Sequence, residues 1–243
     1  MTDVVVDARF WRELRDGARQ GVLIAAVVAL GLPAYHLLHR AAPVTSAPAR
    51  APLVRHLDWQ GQKAPADVQQ VAQWIVADAD NGDMPFAIVD KRGAHVYVFT
   101  RDGGLMGATQ VLLGYAAGDF TVPGIGMRPL DQVRPEERTT PAGRFLTQPG
   151  RNAIGEQVVW VDYDAAVSMH AVRTTNPKER RLERLASPSA GDRRISWGCI
   201  NLPAAFFKST VWPNLGLRRG VVYVLPEQQP LKEFFPRAVP SPA

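Results

Sequence analysis

The chain has 243 residues, of which 46% are hydrophobic and 21% charged, the balance of a globular protein rather than a disordered or fibrous one. A net charge of +5 suits anionic surroundings, but nucleic acid, acidic lipid and carboxylate-bearing peptides all qualify, so charge alone chooses none of them. The single cysteine excludes an intramolecular disulfide and a Cys-rich zinc site, and the 20 Gly and 20 Pro favour turns and strands over a helix bundle.

Residues 1–20 form a basic N-region containing Arg9, Arg12, Arg15 and Arg19. An uncharged apolar run from Gly21 to Tyr35 follows, reaching Leu38 if the next residues are included. At 1.5 Å per residue a bilayer span takes about 20 residues. Segment 21–38 therefore reads as an uncleaved anchor with its basic end inside the cell. The core of a cleaved signal peptide, with Ala47-Pro48-Ala49 as the cleavage site, is the second reading. A buried helix of a soluble protein is the third. We favour the anchor, because the proposed cleavage site lies far beyond the apolar run. Residues 39–64 form a linker whose Pro/Ala-rich stretch 41–52 is extended and coreless.

The spacing of Val68, Val71, Ala72, Ile75 and Val76 predicts a helix over 65–79, with Asn81-Gly82 ending a leading segment 65–82. The period then changes to that of strands. Phe86–Asp90, a Lys91-Arg92-Gly93 turn and His95–Thr100 read as a hairpin, followed by a turn at 101–104 and a strand over 105–113. Further strands are predicted at Gly143–Thr147, Val158–Val161, Ser168–Val172 and Val221–Leu225, with a short helix over Pro203–Thr210. The sum is a mainly β domain with short helices over residues 84–226, followed by a tail, 227–243.

The chemistry concentrates in Ser196-Trp197-Gly198-Cys199-Ile200-Asn201. A reactive thiol needs a lowered pKa, a nearby base and room for a carbonyl. Gly198 leaves that room and lets backbone N–H groups face a developing oxyanion. His36, His39 and His56 lie in the membrane flank and linker, which leaves His95 and His170 as bases within the domain. His95, in the first hairpin, reads as a satisfied or surface histidine. His170 sits in a strand-like stretch with Cys199 following 29 residues later. A lone Cys with a distant His is by itself more often chance than a catalytic pair.

His170 followed by Ser196-Trp197-Gly198-Cys199-Ile200-Asn201 resembles the signature of the L,D-transpeptidase (YkuD-type) catalytic domain. Thr140-Pro141-Ala142-Gly143-Arg144-Phe145 is similar to the Thr-Pro-x-Gly-x-Phe element of that family, and the opening hairpin looks like its first strands. The resemblance implies an L,D-transpeptidase-like β-sandwich preceded by an N-terminal membrane or signal helix. It implies Cys199 as the acyl-accepting nucleophile and His170 as its base. Backbone amides around Gly198 and Cys199 become the oxyanion hole, with Ser196 and Asn201 holding the loop. Trp197 stands where the family commonly has histidine and Ala171 where it often has glycine. That leaves His170 as the sole base and makes Trp197 either a cleft wall or a packing residue.

The stretch 173–194 carries seven basic against three acidic residues. A basic run is usually a solvated face. Placed between the two catalytic candidates, it makes Arg173, Arg193 and Arg194 candidates for binding substrate carboxylates. The implied reaction releases D-alanine from a diaminopimelate-containing stem peptide and forms a new peptidoglycan crosslink, without metal or organic cofactor. The implied location is the periplasmic face of the inner membrane, or the periplasm after cleavage, with stem peptides and the inner membrane as partners. Water as acceptor, giving a carboxypeptidase or endopeptidase, is one alternative. A non-catalytic cell-wall-binding protein is the other. Nucleic-acid binding is disfavoured, because the basic residues lie without interleaved aromatics.

Overall fold

The computed structural model describes residues 55–239. The basic N-region, the 21–38 segment and the greater part of the linker lie outside the described residues, as does the end of the tail. Among the described residues no helix is long and apolar enough to cross a membrane.

Helix α1 (Ala66–Asp78) forms where the apolar spacing predicts it, and buries Val68, Val71, Ala72, Ile75 and Val76 on one face. It stops as Ala79 turns left-handed (φ 53°). Asn81, fully buried, then caps the exit by donating to Met84 O at 2.6 Å and Arg101 O at 2.9 Å. The strands in chain order are β1 (Phe86–Asp90), β2 (His95–Phe99), β3 (Leu105–Gln110), β4 (Leu113–Gly114), β5 (Gly143–Leu146), β6 (Gln148–Arg151), β7 (Gln157–Asp162), β8 (Val167–Ala171), β9 (Arg194–Ser196), β10 (Ile200–Leu202) and β11 (Val221–Val224). They make mixed sheets with few short helices. One sheet has the order β3-β2-β1-β11-β5, a second β10-β8-β7-β6, and a small third pairs β4 with β9.

The first sheet is covered on both faces, which explains why β1 and β11 read as unbroken apolar runs. Because side chains alternate along a strand, Phe86 and Ile88 meet α1 and Tyr223 on one side. Ala87 and Val89 face the other way, onto Val159, Met169, Ile200 and Leu202 of the second sheet. Burying each of these Val, Ile or Leu side chains stabilises the fold by roughly 1.5–3 kcal/mol. Leu231, Phe234, Phe235 and Ala238 of the tail pack into the α1 cluster, so the leading helix and the tail share one core with the sheet.

Several elements differ from the sequence reading. The strand expected over 105–113 breaks after Gln110, and Leu112 then pairs with Asn201 instead. The short helix expected over 203–210 extends as a wide, π-type helix over Phe207–Gly216, with Pro213 inside it. It is held there by burial of Phe207, Val211 and Leu215 against both sheets rather than by helix propensity. Strands β6, β9 and β10 are too short or too polar to show a period of two.

Candidate active site

The site is created by one pairing that no local pattern announces. Strand β10 lies parallel to β8, with Met169 opposite Ile200, His170 opposite Asn201 and Ala171 opposite Leu202. Parallel neighbours need a long crossover, and here it is the basic stretch between Val172 and Cys199. Alternation sends Met169, Ile200 and Leu202 into the core. Ser168, His170, Cys199 and Asn201 therefore share the opposite face.

The cysteine loop is fixed from three directions. Within it, Ser196 Oγ donates to Cys199 O (2.6 Å) and accepts from Gly198 N–H (3.1 Å). From one side, Leu112 exchanges backbone hydrogen bonds with Asn201 and Tyr115 N–H donates to Ser196 O. From behind, Thr140 Oγ1 donates to Gly198 O (2.8 Å) and accepts from Gly114 N–H (2.9 Å). Thr139 O presses so close that a Cβ on Gly198 would lie 2.7 Å from it, and Gly198 has φ +123°. Glycine is required there because a side chain has neither the backbone angle nor the space.

Cys199 is half-buried, with its Sγ 3.6 Å from both Ser168 Oγ and Ala166 O. Burial alone would push the thiol up. Attraction to the neighbouring His170, then the hydroxyl and amide of Ser168, outweighs burial and holds Cys199 below the ordinary thiol range. For His170 burial acts downward, but the neighbouring Cys199 and the Ala171 carbonyl raise it above the usual histidine value. Nδ1 of His170 lies 2.9 Å from Ala171 O and therefore carries a hydrogen, which leaves Nε2 as the atom able to take the thiol proton. Alkylation of Cys199 by iodoacetamide should accordingly reach its half-maximal rate below the ordinary thiol value of about pH 8.5. His170→Ala should move that midpoint upward, because burial is then opposed only by Ser168. An identical profile in the variant would rule out the coupling.

A cleft of about 280 Å³ opens beside the thiol, lined by His170, Arg173, Glu179, Arg181, Trp197 and Cys199 among others. Arg173 reaches it as expected from the sequence, and its Nε, although 3.4 Å from the Glu156 carboxylate, makes no hydrogen bond. Trp197 forms part of the wall, 36% exposed, with the Arg138 guanidinium stacked 3.5 Å from its ring centre. Arg138 in turn donates from Nη2 to Val133 O (3.0 Å), which holds the indole in place.

Arg193 and Arg194 are not brought to the cleft, and the expectation that they contact substrate is corrected. Arg193 is buried and joins Ser187 O to Gly93 O. Arg194 pairs with Glu227 and donates to Lys91 O. Both tie the crossover to the turn between β1 and β2. Of the backbone donors expected around the oxyanion, Gly198 N–H is engaged by Ser196 Oγ. His95 lies away from the site beside Tyr97, half-buried, and burial lowers its pKa.

Two residues not singled out as site residues from the sequence belong to the constellation. Ser168 stands two positions before His170, so strand alternation alone was enough to place it there. Arg181 carried no distinguishing signal within a basic run.

No family model and no curated protein matches this chain. Among solved structures, the avibactam carbamoyl-enzyme of Ldtfm is similar at 17% identity and a TM-score of 0.35, covering 59% of this chain and 49% of that one. The catalytic domain of an Enterococcus faecium L,D-transpeptidase, solved by NMR, is 17% identical at a TM-score of 0.33, covering 59% of this chain and 98% of that one. A cysteine-to-serine mutant of Enterococcus faecium L,D-transpeptidase gives 18% identity and a TM-score of 0.30, covering 58% and 50%. The chain thus spans about half the length of the first of these proteins.

Proposed function

We propose that the chain is a cysteine acyltransferase of the L,D-transpeptidase kind, acting on diaminopimelate-containing stem peptides. The observation that carries this reading is the thiol of Cys199 sharing a strand face with His170 at the mouth of a cleft that also holds Arg173 and Arg181. In the first half-reaction Cys199 gives its proton to His170 Nε2 and attacks the carbonyl on the L-centre of diaminopimelate. The tetrahedral intermediate collapses to a thioester, and the D-alanine amine departs with the proton from His170. In the second, the amine of a neighbouring stem peptide loses its proton to His170 and attacks the thioester. A new amide forms and the thiolate is released. Arg173 offers a cation for a stem-peptide carboxylate, and Trp197 a rigid wall beside the scissile bond. An anchored position on the periplasmic face of the inner membrane accords with the apolar segment 21–38.

The test is intact-mass analysis of the full chain incubated with a diaminopimelate-containing disaccharide-tetrapeptide, beside a Cys199→Ala control. Loss of D-alanine with a dimeric product, absent from the control, is the expected result. Loss of D-alanine without a dimer would assign water as the acceptor. No product and no thiol adduct from a folded chain would sink the enzymatic reading in favour of wall binding.

A further inference from the structure

Arg181, on the short helix α2 (Arg181–Ala186) of the crossover, reaches the catalytic pair through Asn201. A guanidinium can only donate hydrogen bonds. Arg181 Nη1 donates to Asn201 Oδ1. That contact turns the other half of the amide, Nδ2, toward His170 Nε2 at 3.1 Å and Cys199 O at 3.3 Å. A ring nitrogen that receives Nδ2–H carries no hydrogen of its own. The second ring nitrogen, Nδ1, meets the Ala171 carbonyl, which can only accept. Polarity is therefore fixed along the row, from a group that only donates to one that only accepts.

We propose that Arg181 is a positioning residue that, through Asn201, restrains proton transfer from Cys199 to His170. Asn201 occupies the lone pair that the thiol proton must reach. An imidazolium would set Nε2–H against Nδ2–H. Turning the amide over would relieve that conflict by presenting Oδ1 to Nε2–H, but it would then set the Nδ2 hydrogens against those of Arg181. Arg181 thus opposes the charge separation that Cys199 and the Ala171 carbonyl promote. The charged groups around His170 are Cys199 from the loop before β10, Arg181 from α2, Glu179 just before α2 and Arg173 beyond β8. Glu179 accepts from Arg181 Nε, and Glu156 sits beside Arg173, so both anions face arginines rather than the imidazole. The charge of Arg181 acts on His170 in the same downward sense.

This inference rests on the pairing of Cys199 with His170, and its test separates the two. Iodoacetamide is uncharged, so alkylation of the only thiol in the chain reports on the pair without reporting on any carboxylate that Arg181 binds. In Arg181→Met the amide is free to turn and Nε2–H gains an acceptor. The midpoint of the rate–pH profile should then fall by about one unit below that of the wild type, with the melting curve showing the fold intact. Asn201→Leu removes the opposing donor and should move the midpoint the same way, and the double variant no further than either single one. A midpoint in Arg181→Met equal to or above the wild-type value overturns the proposal, as does an additive shift in the double variant, which would mean that Arg181 acts by charge alone. A wild-type midpoint at the ordinary thiol value would instead overturn the Cys199–His170 pairing itself.

Discussion

Gly198→Ala is expected to slow acylation of Cys199 by roughly 100-fold or more while leaving the sheets intact, since displacements of about 1 Å at a reacting group cost that much. Two independent constraints meet at this residue. Its φ of +123° lies where a side chain is strained, by about 1–3 kcal/mol. The added Cβ would also stand 2.7 Å from Thr139 O and 3.4 Å from Val167 Cγ2. The segment carrying Thr139 and Thr140 cannot easily withdraw, because Thr140 O accepts from the buried Lys91 ammonium at 2.9 Å. The cysteine loop must move instead, shifting the thiol relative to His170 and Ser168. The check is the rate of thioester formation by mass spectrometry beside circular dichroism of the same preparation. A variant that acylates at the wild-type rate would show that the close approach of Thr139 does not set the position of the thiol.

The largest loss of stability is expected at Lys91. Its side chain is fully buried, and its Nζ donates to Gly118 O, to Asp119 Oδ1 at 2.7 Å and to Thr140 O at 2.9 Å, with Glu227 3.6 Å away. Burial lowers the Lys91 pKa more than Asp119 and Glu227 raise it. Asp119 experiences the reverse balance. Burial pushes its carboxyl up, but the hydrogen bond from Lys91 and the backbone N–H groups of Glu227, Gln228 and Gln229 hold it below the usual carboxylate value. Its contribution to stability is accordingly present above the unfolded carboxylate value of about 3.9 and fades as pH falls through the lower folded value. Lys91→Met removes the cation and leaves Asp119 buried, which should lower stability by about 3–5 kcal/mol in urea denaturation. Adding Asp119→Asn should recover part of the loss, because the uncompensated charge is removed while the amide oxygen still accepts from the Gln228 and Gln229 N–H groups. If Lys91→Met alone unfolds at the wild-type urea concentration, the cluster is not what joins the β1–β2 turn to the segment behind Gly198.

The same cluster shows how far local pattern reaches in this protein. Helix α1 was legible because it buries one regular face, which leaves a period of 3.6, and β1, β2 and β11 because burial on both faces leaves short apolar runs between turns. Cys199 and His170 were legible as chemistry, since a thiol after glycine and a histidine in a strand are recognisable wherever they fall. Their partnership was legible only through the resemblance to a family signature and not from local pattern, because it depends on β10 lying parallel to β8 across a crossover whose own residues carry no period. Sequence likewise supplied a basic run without saying which cations it offers to the cleft. Packing decided that Arg173 and Arg181 line the cleft while Arg193 and Arg194 hold the crossover to the β1–β2 turn. Lys91 reads as a turn residue, yet the tertiary structure buries it, because three acceptors from two segments distant from it in the chain, Gly118-Asp119 and Thr140, converge on one ammonium. Composition and spacing determine which elements form and which side chains can react. The long-range pairing of strands determines which of those side chains meet, since a hydrogen bond between residues distant in sequence leaves no trace in the neighbours of either.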